Sequence, residues 1–147
     1  IRFRDATEDD LAAVVALLAD DALGAARERP ADAAHLWAYR RMVSEGNNHL
    51  VVGEVGGRVV ATYQITFISG LSLSASRRAQ VESVRVASDL RGQGLGSRLM
   101  ADAEVRARAA GCSLMQLTTN RTRHEAHRFY ESLGFTPSHI GYKRGLT

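Results

Sequence analysis

Three glycines spaced two apart, Gly92, Gly94 and Gly96, separate a run that reads as a strand from a run that reads as a helix. Upstream, Val81, Val84 and Val86 are β-branched, and nothing in the run breaks an extended backbone. Downstream, Leu95, Leu99, Ala103 and Ala107 recur every four residues, which is a helical period. Gly111 is a C-terminal stop for that helix, and residues 113–119 read as the next strand. Strand, helix and strand in this order form a crossover unit, which demands parallel pairing.

A glycine-rich turn opening straight into a helix leaves several N–H groups pointing one way, with the positive end of the helix dipole behind them. That makes an anion site, and phosphate is its usual occupant. The glycines would let a diphosphate approach the backbone closely; read without that ligand, they simply make a tight turn. The spacing Gly-x-Gly-x-Gly differs from the dinucleotide pattern, and no acid stands near position 116 to take a ribose. No Gly-Lys-Ser/Thr follows, so a triphosphate loop is disfavoured too.

The rest of the chain supplies antiparallel partners. Residues 1–5 alternate as a first strand, and Thr7, with Asp10 three residues on, caps a helix whose apolar face is Leu11, Val14, Val15, Leu17 and Leu18. Residues 21–30 read as a loop and residues 31–44 as a second helix. Residues 49–55 and 58–68 form a hairpin around Gly56-Gly57, and residues 71–76 are a polar link. A last helix over residues 123–132 ends at Gly134, followed by a terminal strand pair at 135–137 and 140–146. The expected architecture is a mixed α/β (α+β) fold: a mostly antiparallel sheet of six or seven strands flanked by about four helices, in one domain over residues 1–147.

Composition narrows the chemistry. No apolar run is long enough to span a bilayer and the first residues are not a signal peptide, so the expectation is a cytoplasmic protein without a membrane partner. The single cysteine, Cys112, excludes an intrachain disulfide and reads as a small buried residue. His124 and His127 are a close pair without a third ligand nearby, so no metal is expected. Net charge is +3, but residues 77–128 carry ten arginines against five acids, a region that would attract a polyanion. A dense basic face with interleaved aromatics is missing, which argues against nucleic acid.

Arg91-Gly92-Gln93-Gly94-Leu95-Gly96 resembles the acetyl-CoA signature of the GNAT superfamily of N-acetyltransferases, Arg/Gln-x-x-Gly-x-Gly/Ala. A second stretch, Asn120 through Ala126, Phe129-Tyr130 and Gly134-Phe135, looks like that family's other segment. Two motifs in the right order are more specific than either alone.

The resemblance implies a GNAT-like fold with acetyl-CoA as co-substrate. In that family two parallel strands splay apart and the pantetheine arm lies between them like an added strand. Carried over, the backbone of Val84, Arg85 and Val86 would hold pantetheine, and the amides from Gln93 to Ser97, with Gly92, Gly94 and Gly96, the diphosphate. Arg91 could meet phosphate, and Asn120 would sit beside the arm. Tyr130 matches the family tyrosine whose hydroxyl protonates the departing thiolate; otherwise it is a core aromatic beside Phe129. Glu82, a carboxylate in an apolar strand, is the candidate base acting through water, or else a partner of Arg78 or Arg85.

The acceptor would be the primary amine of a small molecule or peptide. Trp37, Tyr39, Tyr63, Phe67 and Tyr142 are candidate walls, and Asp20, Asp21, Glu28 and Asp32 could attract a cationic amine. Homodimers are frequent in such a family. Two other readings share the motifs: a non-catalytic acyl-CoA sensor, and an acyltransferase using a longer acyl-CoA.

Overall fold

The computed structural model describes residues 1–147 except the side chain of Ala22. Two compact units, Ile1–Gln116 and Leu117–Thr147, are described separately. The first holds a five-stranded sheet in the order β1 (Arg2–Asp5), β2 (Asn48–Val55), β3 (Arg58–Ile68), β4 (Arg78–Val86) and β5 (Leu114–Gln116). The first four strands pair antiparallel, and β5 pairs parallel to β4. The crossover between these last two is α4 (Leu95–Ala109), whose four-residue stripe of Leu99, Ala103 and Ala107 is buried. Burial of a leucine such as Leu99 contributes about 1.5–3 kcal/mol.

The other helices of this unit are α1 (Leu11–Ala19), α2 (Ala22–Arg27) and α3 (Ala33–Glu45). Thr7 opens a 3-10 turn over Glu8–Asp10, its N–H donating to Asp10 Oδ2 at 2.7 Å, and this turn leads into α1. Val14 and Leu18 of α1 pack on Leu50 and Val52 of β2. On the opposite face of the sheet the Tyr63 hydroxyl, fully buried, donates to Asp102 Oδ2 on α4 at 2.6 Å. Arg106 then bridges Asp102 and Asp5, tying α4 to the end of β1.

Three expectations are corrected. The sheet has five strands among the described residues: β5 stops at Gln116 rather than Thr119, and the terminal strand pair at 135–137 and 140–146 does not form. Pro137 has no N–H for a ladder, the Ser138 N–H turns back to the Thr136 carbonyl, and Ile140, Tyr142 and Leu146 are exposed. Residues 21–30 contain α2, started by Asp21 accepting from the Gly24 N–H; Gly24 is required because a Cβ there would lie 1.9 Å from the Leu18 carbonyl oxygen. Finally, the link before β4 is a left-handed turn, with Leu73, Ser74 and Ala75 at φ 53°, 58° and 62°. The bonds from Ala75 N–H to Leu71 O and from Ser76 N–H to Ser72 O close it, against a cost of about 1–2 kcal/mol per residue.

The second unit contains α5 (His124–Ser132). Gly134, at φ 93°, turns the chain after α5 so that the Phe135 N–H reaches the Tyr130 carbonyl and the Phe135 ring meets the Tyr130 ring edge-on.

Candidate active site

The register between β3 and β4 jumps at one point: Thr62 faces Arg85 and Gln64 faces Glu82, so Tyr63 stands opposite both Ser83 and Val84. This is a β-bulge, and Ser83 holds it at φ 55°. Pairing of β4 with β5 ends at Gln80 and Gln116, leaving residues 81–86 without a strand on that edge. Their backbone groups are therefore available to an extended ligand. Two carbonyls on the stretch accept from arginines, Val84 O from Arg85 at 2.9 Å and Val86 O from Arg91 at 3.2 Å. Each retains a second lone pair.

After β4 a 3-10 turn (Ser88–Leu90) delivers the chain to the glycines. Gly92 and Gly94 have φ of 80° and 79°, a conformation that penalises any side chain, and Gly94 is the N-cap of α4. A Cβ added at either would meet nothing within 4 Å, so space above the turn is open. The helix's opening bond runs from the Arg98 N–H to the Gly94 carbonyl, so the amides of Leu95, Gly96 and Ser97 precede it without intrahelical acceptors. With the dipole behind them they can hold a diphosphate.

The corner between α1 and α2 braces this turn. Asp20 Oδ2 accepts the Ser88 N–H at 3.2 Å, and Arg91 donates to the Asp20 carbonyl at 2.8 Å. Asp21 pairs with Arg85 at 3.1 Å, and Arg58 grips Asp89 through two bonds. Asp20 and Asp21 thus hold the turn after β4 and the strand itself instead of standing free for a cationic amine. Asp32 is likewise engaged, capping α3 and pairing with Arg29. No motif announces the contacts of Asp20 with Ser88 and Arg91 or of Asp21 with Arg85, which join residues more than sixty positions apart in the chain.

Glu82 is exposed, and no hydrogen bond or ion pair holds its carboxylate among the described residues. Its alternative partner Arg85 belongs to Asp21. Polar side chains share the side of the sheet that Glu82 occupies: Gln64 donates to Asn48 at 2.8 Å, Thr66 donates to the same oxygen at 3.2 Å, and Gln116 donates to Gln80 at 3.0 Å.

The five aromatic wall candidates stand in different settings. Tyr63 is in the core, the Tyr39 hydroxyl donates to the Ala6 carbonyl, and Phe67 lies between His49 and Arg77. Trp37 and Tyr142 are exposed by 68% and 90%.

In the second unit, Asn120 Oδ1 accepts from the Thr122 N–H and hydroxyl at 3.0 and 2.7 Å, which leaves its amide hydrogens outward as donors. The Tyr130 ring is held edge-on between Phe129 and Phe135, with centroids at 5.1 and 5.8 Å. Among the described residues no group of His, Cys, Asp and Glu could hold a metal, and no helix is long and apolar enough to cross a membrane.

The model of the acetyltransferase (GNAT) family matches residues 11–135, running through both units. The chain belongs to the GNAT family. GNAT enzymes use acetyl-CoA as co-substrate. Over 67 residues this GNAT chain is 42% identical to the aminoalkylphosphonate N-acetyltransferase of Salmonella typhimurium, a stretch that covers 46% of this chain and 44% of that enzyme. The match thus spans less than half the length of that curated relative. The crystal structure of a transcriptional regulator from Bacillus halodurans C-125 is similar at TM-score 0.94 and 43% identity, over 99% of both chains. A Clostridium acetobutylicum protein predicted to be an acetyltransferase, and solved with acetyl-CoA, shares the fold at TM-score 0.77 and 15% identity, over 99% of this chain and 96% of that one.

Proposed function

We propose that this chain is an acetyl-CoA-dependent N-acetyltransferase that acetylates the primary amine of a small molecule or peptide. The observation that carries the reading is the continuity of residues 81–97: an unpaired strand edge runs into a glycine turn whose amides lack acceptors. In this reading the backbone of Val84, Arg85 and Val86 holds pantetheine, Gly92, Gln93, Gly94, Gly96 and Ser97 hold the diphosphate, and Asn120 donates to the arm. Arg91 acts by fixing the turn through Val86 and Asp20.

Acetyl-CoA supplies an acyl carbon activated as a thioester. The amine must be neutral to attack, and at pH 7 an amine of pKa near 10 is almost wholly protonated. Glu82 takes that proton through water; its exposure and lack of a partner suit the task. As the carbon–sulfur bond breaks, the Tyr130 hydroxyl gives a proton to sulfur. Tyr130 carries this role by its place in the second motif. Attack is direct, since no nucleophile–base pair suited to an acyl-enzyme stands in the sequence. The site of action in this reading is the cytoplasm, where acetyl-CoA is at hand.

The test is calorimetry with acetyl-CoA and CoA, with Gly94→Glu as control, followed by thiol release on a panel of amines. Binding lost in Gly94→Glu, together with amine-dependent thiol release, supports the enzyme. The regulator at 43% identity favours one second reading, an acyl-CoA sensor, which predicts binding without thiol release for any amine.

A further inference from the structure

Tyr63 links the two elements that carry the proposed co-substrate site. On β3 it lies opposite both residues of the bulge, Ser83 and Val84, one strand spacing of about 4.8 Å from β4. Its hydroxyl, fully buried, donates to Asp102 Oδ2 at 2.6 Å. Asp102 stands seven residues after Leu95, two turns into α4 and about 10 Å along the helix from the amides that open it. One hydrogen bond therefore joins the strand pair behind the open edge to the helix that presents those amides.

The rest of the contact between α4 and the sheet has little direction. Leu99, Ala103 and Ala107 are buried, and apolar burial draws two elements together without choosing their axial position. Two of these three are alanines, which project too little to interlock. A short bond from a hydroxyl to a carboxylate is directional, and leaving either group unpaired in the interior is costly. Asp102 is itself fixed: Arg106 donates to the same oxygen at 2.9 Å and to Asp5 Oδ1 at 3.0 Å, so a shift of Asp102 strains a link that runs on to β1. Among the described residues no other side-chain hydrogen bond joins α4 to β2, β3 or β4. The amides of Leu95, Gly96 and Ser97 belong to the same helix, so whatever fixes Asp102 fixes them.

We infer that Tyr63 and Asp102 are positioning residues for the co-substrate, setting the distance between the open edge of β4 and the first amides of α4 so that one CoA molecule spans both. Each acts through the element it anchors rather than on the ligand. The inference rests on the acetyltransferase reading for what residues 81–97 bind.

Calorimetry with CoA and with adenosine 3′-phosphate 5′-diphosphate, which is CoA without its arm, tests it. The nucleotide reports the α4 amides alone. Wild type should bind CoA about tenfold or more tighter than the nucleotide. At a temperature where melts show the variant folded, Tyr63→Phe should weaken CoA binding by about five- to tenfold and nucleotide binding by less than about twofold. Asp102→Ala should behave as Tyr63→Phe does, and Asp102→Asn, whose amide oxygen still accepts the phenol proton, should recover most of the CoA affinity. A residue that only stabilises the fold would lower the melting temperature and leave the CoA-to-nucleotide ratio at its wild-type value. That unchanged ratio overturns the inference and leaves the acetyltransferase reading in place. Equal wild-type affinity for CoA and the nucleotide also overturns it, a comparison that needs no variant to fold. Absence of CoA binding in wild type sinks the acetyltransferase reading, and the inference with it.

Discussion

Glu82 and Arg85 lie three positions apart on β4, yet they are registered against Gln64 and Thr62 and so occupy the same side of the sheet. Three residues in a regular strand would place them on opposite faces. The bulge at Ser83 and Val84 supplies the extra residue, and it lets Arg85 meet Asp21 while Glu82 stays clear.

This geometry depends on Ser83 at φ 55°. A β-branched residue is stiffest there, so Ser83→Val should lower stability by about 1–3 kcal/mol relative to Ser83→Gly, measured by chemical denaturation. Glycine adopts that conformation freely, and Ser83→Gly should keep wild-type turnover. Equal stability of the two variants would mean that the bulge relaxes.

Burial, reinforced by the bond to Asp102, pushes the Tyr63 hydroxyl well above its ordinary pKa of 10. The folded protein keeps this proton at pH values where the unfolded chain has lost it. Its stabilising contribution is therefore complete below about pH 10 and falls away as pH rises further. Thermal melts from neutral to alkaline pH should show wild type losing stability more steeply than Tyr63→Phe above that point. Parallel curves would remove Tyr63 from the balance.

Asp20 reaches the turn after β4 through its carboxylate, which accepts the Ser88 N–H. Asp20→Ala should weaken acetyl-CoA binding by about three- to tenfold, the worth of one hydrogen bond, with Asp20→Asn retaining more of the affinity. Calorimetry on both variants checks this, and unchanged affinity would show that Arg91 alone suffices.

Tyr130→Phe should reduce kcat by about a hundredfold or more while leaving the acetyl-CoA Kd near wild type, because only the proton donor is removed. The rings of Phe129 and Phe135 on either side would hold a phenyl group equally well. Turnover unaffected across pH would assign the proton on sulfur to another source.

Features set by periodicity were legible in the chain. The four-residue stripe of α4 and the hairpin around Gly56-Gly57 needed only local spacing, and β3 runs over the residues its pattern indicates. The glycine turn was equally plain because positive φ selects glycine. Other features left no local mark. A one-residue bulge does not alter composition, α2 is a six-residue helix with a glycine inside it, and the Asp21–Arg85 pair joins distant parts of the chain. The expected strand pair at 135–137 and 140–146 does not form, because apolar residues there record only a capacity to pair. The polar pairs on the sheet were hidden for the same reason: Asn48 with Gln64, and Gln80 with Gln116, become neighbours through register alone.

The open edge at residues 81–86 also bears on how this chain behaves in a crowded solution. An unpaired strand edge is a template for another molecule's strand, and thus an invitation to aggregate. Here the carbonyls of Val84 and Val86 already accept from Arg85 and Arg91, which competes with such pairing. The same two contacts that shape the end of β4 thereby make it a poorer template for a second chain.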